Sequence, residues 1–394
     1  MIAWLDASTE DQRRMREIVN LFSERDSRDE LGIGQVRDAI SDTLFPGTST
    51  LLGRARYMLL IPWCFTAAAS SGRTPGDISK RVDLNERDLI TALKENGDEV
   101  GLLGRVAGRS LRTLPSSLYW VALRQYGILA SPSLDRQAVF ELSTWVASDF
   151  DEGEGETSPW SPTLPASPAG FPKETDGGFA LSSFEAGWLS ERMLEGAEGT
   201  LLSYFVQHRP DAVSTMPWGA AIDAPPTAAL ALEHARLFSF AMHGAALLYN
   251  LLLAEAYEAQ EFTTIEAPVD RYRDYLGTWQ VELDLMGSTL ADWDRNEFWR
   301  LIRAKNSGVM SQPFIDRWID HVIGLRGDIA SDPASRELIA ERERRHKRSQ
   351  ARLDNRKLLE EWRGASGAGR LVYRWPQVLT ILTDLHDGLE RADA

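Results

Sequence analysis

Apolar positions recur with helical spacing along most of this chain, and Pro, Gly and Ser punctuate them. After a short apolar entry over Met1 to Asp6, read as a strand, a helix is expected from Ser8 to about Phe22, with Glu10 and Asp11 near its positive end. Ser27 to Asp42 begins as a charged turn and continues as an amphipathic helix with Ile33, Val36 and Ile40 inward. Next comes DTLFPGTSTLLGRARYMLLIPW, residues 42–63. There Pro46 and Gly47 mark a turn, Thr48, Ser49 or Thr50 offers a cap, and Pro62 is expected to stop the helix that follows. That helix is apolar nearly all round, so Arg54 and Arg56 within it require anionic partners, either the protein's own carboxylates (Asp29, Glu30 or Asp38 for Arg54) or a ligand's phosphates. If Arg54 faces a ligand, the hydroxyls of Thr48 and Ser49 stand with it at the helix start.

The first half continues with a helix over Leu84 to Asn96, apolar at Leu84, Leu89, Ile90 and Leu93, then Gly97, Gly101, Gly104 and Gly108 as turns. A further helix runs from Ser117 to Gln125, with Leu118, Val121 and Ala122 facing in. Helix, glycine turns and helix match a small helix-turn-helix or winged-helix element, with Arg105, Arg109, Arg112, Arg124 and Arg136, in excess over Asp135, as phosphate contacts; the plainer reading is short helices of an all-α protein. Residues 150–178 are acidic and then rich in Pro, Ser and Gly, the composition of a linker. The expected division is therefore an N-terminal helical domain over 1–149, a linker over 150–180 and a C-terminal helical domain over 181–394.

In the second half, helices are expected from Ser182 to Leu194, Thr200 to Gln207, and Thr227 to about Glu258, the last roughly 48 Å long. Along that spine Arg236, Ser239, His243, Asn250 and Tyr257 form a polar stripe, either a buried hydrogen-bond network or the lining of a pocket. Helices follow over Val269 to Leu285, from Ser288 through Ile302, over Pro313 to Gly324, and over Ser335 to Trp362. GASGAG reads as a flexible turn, Leu371 to Trp375 as extended chain, and Pro376 to Leu389 as the closing helix. The fold class is mainly α, with two domains or lobes.

Composition narrows the function. The chain has 394 residues, 43% of them hydrophobic, and a net charge of −15, which argues against a surface that clings to polyanions everywhere. Binding of that kind must be local. The strongest local candidate lies in 341–361, where eight cations, Arg345, Lys347 and Arg348 among them, outnumber five carboxylates; the plainer reading is a solvated helix with i,i+4 pairs. The single cysteine, Cys64, leaves no internal disulfide, and the start of the chain lacks a signal-peptide pattern, so a cytoplasmic protein is expected. Leu237 to Ala254 is long and apolar enough to consider as a membrane span, but Ser239, His243 and Asn250 within it and charges close by favour a core helix and no membrane. No phosphate-loop, zinc-helix, CxxC or nucleophile-elbow motif occurs, and no metal or cofactor is expected.

The run DELGIGQVRDAISDTLFPGTSTLLGRARYMLLIPW, with LPSSLYWVALRQYGI and the later ARLDNRKLLEEW and YRW, resembles an uncharacterised bacterial family known only as a domain of unknown function. The resemblance implies a cytoplasmic bacterial protein associated with anti-phage defence islands, whose encoded neighbours include helicases and nucleases. It carries over no catalytic residue; Arg54, Arg56 and Tyr57 stand at the matching positions. The leading expectation is a non-catalytic component that binds DNA, RNA or a protein partner through local basic surfaces. A nuclease with a dispersed site and a purely structural helical scaffold are the alternatives.

Overall fold

A computed structural model describes residues 29–70, 72, 74–148, 158–221 and 223–391. The strand expected over Met1 to Asp6, the helix from Ser8 to Phe22 and the acidic stretch 150–157 lie outside the described residues. The protein is 62% helical, with fifteen α-helices and no strand among the described residues; one isolated bridge joins Leu129 and Trp160. A winged helix needs a hydrogen-bonded β-ribbon for its wing, and none occurs among the described residues.

Two compact units emerge, one of residues 1–40 and 233–371, the other of 41–232 and 372–394. This interleaved division differs from one drawn at 150–180. The described part of the expected linker, from 158 on, is anchored within the second unit. Trp160 is buried against Phe65 at 5.4 Å between ring centroids, Trp63 Nε1 donates to the Pro165 carbonyl at 2.7 Å, and Trp188 Nε1 donates to Thr163 Oγ1 at 3.0 Å. Proline makes such a segment irregular, and its aromatic side chains still bury.

In the second unit, the helix of the 42–63 run begins at Tyr57, not at Thr50, and passes through Pro62 to Ala69. Its expected start fails because tertiary partners take the amides a helix would use. Gly53 and Arg54 donate to the Tyr119 hydroxyl at 2.9 and 3.0 Å, and Ala55 donates to Asp384 at 2.9 Å. Pro62 does not stop the helix because packing outweighs it. A helix-interior proline costs about 3 kcal/mol, whereas Met58, Leu59, Leu60, Ile61, Trp63 and Phe65, each at most 2% exposed, gain about 2 kcal/mol apiece on burial.

Around this helix pack Pro75–Glu95, Pro115–Gln125 and Arg136–Ser148. Two inward assignments change. Leu84 and Val121 are exposed, and the Pro115–Gln125 helix buries Tyr119, Trp120, Ala122 and Leu123 instead, because its aromatic side chains occupy the core. Ser183–Gly196 carries a complete capping box, the Ser182 side chain accepting from Glu185 N while Glu185 accepts from Ser182 N, and packs on the closing helix Trp375–Leu389. Ahead of that closing helix Tyr373 and Arg374 are left-handed (φ 50° and 65°) rather than extended. Arg374 donates from there to Asp42 and to the Thr48 carbonyl, both at 2.7 Å.

The other unit is built on Pro226–Ala259, of which residues from Glu233 onward belong to it. This helix is long and apolar enough to cross a membrane, and 89% of its most apolar window is buried inside the protein. Two indoles donate to its carbonyls, Trp279 to Phe240 at 3.0 Å and Trp318 to Ala241 at 2.8 Å. Trp279 lies over Gly244, where a Cβ would come within 2.3 Å of the ring. Pro268–Ala291 absorbs the helix start expected at Ser288, and the next helix, Arg295–Lys305, begins after Asp294, whose carboxylate accepts from Glu297 N at 3.0 Å. The long charged helix expected from Ser335 to Trp362 is instead Pro333–Lys347, two 3-10 turns and Arg356–Glu360; it breaks at Arg348, whose φ is 52°.

Candidate functional site

Neither arginine of the 42–63 run is free for a ligand. Arg54 forms a two-pronged pair with Asp384, Nε donating at 2.9 Å and Nη2 at 2.7 Å, and its guanidinium lies 4.9 Å from the Phe179 ring centroid. Burial lowers its pKa, and the hydrogen bonds and charge of Asp384 outweigh that and raise it. The expected partners are engaged elsewhere: Asp29 accepts from Ile33 N and Gly34 N, Glu30 pairs with Lys347 and Arg352, and Asp38 pairs with Arg37. Arg56 is 5% exposed. It donates to Glu185 at 2.8 Å and to the carbonyls of Asp176 and Gly178 at 2.6 and 2.7 Å. Two charges at alternate positions of a non-helical segment thus anchor two different parts of one unit. Thr48 and Ser49 cap no helix: Thr48 Oγ1 donates to the Phe45 carbonyl, and Ser49 Oγ accepts from Leu51 N.

Arg105, Arg109 and Arg112 lie on the 96–114 loop, all exposed. Arg109 pairs with Asp88, and Arg105 sits 3.8 Å from Glu99. The Arg87 guanidinium pins this loop by donating to the carbonyls of Arg109 and Leu111. Close by, Glu95, Asp98, Glu174 and Asp176 line a cavity of about 920 Å³ with Lys173, Asn96 and Thr175, so the local field is acidic.

The polar stripe of the long helix meets the chain from Gly364 to Leu371. Asn250 donates to the Ser366 carbonyl at 2.8 Å and accepts from Ser366 N at 2.7 Å; Ser239 Oγ donates to the Leu371 carbonyl at 3.0 Å; His243 bonds the Ala368 backbone. Helix positions 250, 243 and 239 thereby match 366, 368 and 371 in antiparallel order. The GASGAG segment, expected as a flexible turn, is held by these bonds from helix side chains to the backbone of Ser366 and Ala368. Arg236 stands apart, paired with Glu233 at 2.6 Å and a third exposed. Burial pushes the His243 imidazole down to about 3, with Arg370 adding to the effect.

The basic stretch sorts into two classes. Arg342 donates to the carbonyls of Leu31 and Gly32, Lys347 pairs with Glu30 at 3.1 Å, and Arg352 with the same carboxylate at 3.0 Å. Glu343, fully buried, accepts from Tyr249 Oη and Arg352 N, both at 2.7 Å. These groups tie the Pro333–Lys347 helix into its unit. The remaining cations face solvent: Arg344, paired with Asp354; Arg345, paired with Glu341; and Arg348, Arg356, Lys357 and Arg363, for which no ion pair within 4.0 Å occurs among the described residues. Arg356 rests on the Phe262 ring at 5.2 Å. On Pro333–Lys347, Arg342 and Lys347 are turned inward and Arg344 and Arg345 outward; past the break Arg352 is held by Glu30, while Arg348, Arg356, Lys357 and Arg363 are exposed.

His321, Asp332 and Ser335 lie together, a combination that sequence reading missed because they come from two elements. Asp332 (2.8 Å) and Ser335 Oγ (2.9 Å) both reach His321 Nε2. A nucleophilic triad needs the carboxylate on one ring nitrogen and the hydroxyl on the other. Ser335 is fully buried, and Asp332 caps the Pro333–Lys347 helix by accepting from Ser335 N, so the set fastens a helix start. Among the described residues no group of three or more His, Cys, Asp or Glu could hold a metal ion.

No curated protein and no solved structure matches the chain. A family described as a family of unknown function, DUF6361, matches residues 1–388. The match spans both compact units, and the chain belongs to that family.

Proposed function

We propose that this chain is a non-catalytic component of a bacterial assembly, of the anti-phage defence type, that binds nucleic acid through the cationic rim of residues 344–363. One observation carries the reading: Arg348, Arg356, Lys357 and Arg363 are exposed cations within sixteen residues, while Arg342, Lys347 and Arg352 of the same stretch are committed to backbone carbonyls or Glu30. Cations held for structure are paired; exposed cations without an ion pair are available to phosphates. A net charge of −15 confines such binding to this rim. The protein acts in the cytoplasm, off the membrane, alongside a helicase or nuclease encoded nearby.

The test incubates purified protein with labelled single- and double-stranded DNA and RNA at low salt, with and without Mg²⁺ or Mn²⁺. Retarded but intact nucleic acid is expected. Metal-dependent cleavage would make it a phosphodiester enzyme instead, and no retardation, together with co-purification of an acidic protein, would make the rim a protein-docking surface.

A further inference from the structure

The second unit buries an ionisable group that no ion pair satisfies among the described residues. Glu86, on the Pro75–Glu95 helix, is fully buried. Its Oε2 accepts from Ser116 N at 3.4 Å, at the start of the Pro115–Gln125 helix, while its Oε1 and the Ser116 hydroxyl have no hydrogen-bond partner. Every packed element contributes a group that faces it. The Tyr57–Ala69 helix brings Tyr57 and Cys64, both held protonated by burial; Pro115–Gln125 brings Ser116; Arg136–Ser148 brings Arg136. Its own helix brings Asp83, and Asp88 reaches Arg109 of the 3-10 turn Gly108–Ser110. The one cation, Arg136, spends Nη1 on Ser117 Oγ at 2.9 Å and leaves a buried Nε unbonded. An ionised carboxylate here has one weak donor and a distant positive charge.

We propose that Glu86 is a proton-held latch: protonated, it anchors the start of the Pro115–Gln125 helix, and ionised, it loosens that helix together with the 96–114 loop carrying Arg105, Arg109 and Arg112. The loop is coupled to the latch on both sides. Arg87, the next residue, donates to the carbonyls of Arg109 and Leu111, and the loop's last residue, Leu114, leads directly into the anchored helix at Pro115. Burial pushes the Glu86 carboxyl up from 4.5 to about 7, against the opposing hydrogen bond of the Ser116 amide and the charge of Arg136. Its folded pKa exceeds its unfolded one, so the proton's stabilisation is full below pH 4.5 and is lost as pH rises through 7.

The experiment is backbone hydrogen exchange of the intact protein at pH 5.5 and 8.5, corrected for intrinsic rates and read over 100–125, for wild type and Glu86→Gln. Linkage between those two pKa values predicts protection falling about 30-fold in wild type over this interval. In Glu86→Gln, which cannot ionise, the fall is expected to stay under about 3-fold. An equal fall in both proteins would overturn the proposal, as would wild-type protection that rises with pH, the behaviour of a Glu86–Arg136 ion pair. Should Glu86→Gln not fold, infrared titration of wild type decides: a buried carboxylic-acid band that disappears near pH 7 supports the latch, and its absence at pH 6 refutes it.

Discussion

Removing Arg54 strands Asp384. That carboxylate is 8% exposed in its side chain and accepts from Arg54 Nε and Nη2 and from Ala55 N; without the guanidinium it keeps only the Ala55 amide. An uncompensated buried charge typically costs about 3 to 5 kcal/mol. Arg54 also loses its stacking on Phe179, a contribution of about 1 kcal/mol that falls within that range. At roughly 2 to 4 °C per kcal/mol for a unit of this size, Arg54→Ala lowers the unfolding temperature by about 10 °C. Asp384→Ala does the same for the opposite reason, leaving a guanidinium with only the Val100 carbonyl at 3.3 Å. Differential scanning calorimetry of Arg54→Ala, Asp384→Ala and the double variant provides the cycle. The double loses about 2 kcal/mol less than the sum of the singles, because neither charge is then left alone. Additive losses, or Arg54→Ala melting like wild type while nucleic-acid binding disappears, would refute the structural assignment of this pair.

Gly244→Ala gains about 1 kcal/mol in helix propensity, but its Cβ meets the indole of Trp279, fixed by its hydrogen bond to Phe240 and by ring stacking at 5.5 Å. Overpacking wins, and denaturant unfolding shows a net loss of about 1 to 2 kcal/mol. His243, with its pKa pushed down to about 3, binds fewer protons folded than unfolded between that value and 6.5. Stability therefore falls as pH drops through this window, and the fall is shallower for His243→Gln in acid unfolding followed by circular dichroism.

Where local chemistry decided a boundary, the sequence was legible. Ser182 with Glu185 three residues on, Thr200 before Leu201, and the proline and acidic ends of Pro226–Ala259 mark helices within one or two residues of where they lie. Where a distant partner decided, it was not. Nothing near Thr50 reveals that Tyr119 and Asp384 take the amides of Gly53, Arg54 and Ala55, nor that packing carries a helix through Pro62. The stripe at Ser239, His243 and Asn250 was visible from its period, but its purpose depended on residues more than a hundred positions away. Charge was legible only as a total: residues 341–361 read as a stretch in which cations outnumber carboxylates, yet Arg342, Lys347 and Arg352 are turned to internal partners, and the helix breaks at Arg348.

Under the proposed function, exposed cations of 344–363, and not the paired arginines of the interior, make the nucleic-acid contact. The direct measurement is the dissociation constant for a labelled oligonucleotide as a function of salt, for wild type and for the combined variant Arg348→Ala, Arg356→Ala, Lys357→Ala and Arg363→Ala. Wild-type affinity is predicted to fall steeply with log salt, and the variant, melting as wild type does, to lose about 2 to 4 in slope at roughly 0.7 to 0.9 per phosphate contact. A variant that binds with wild-type affinity and slope, or a wild type that binds nothing at low salt, would contradict the account.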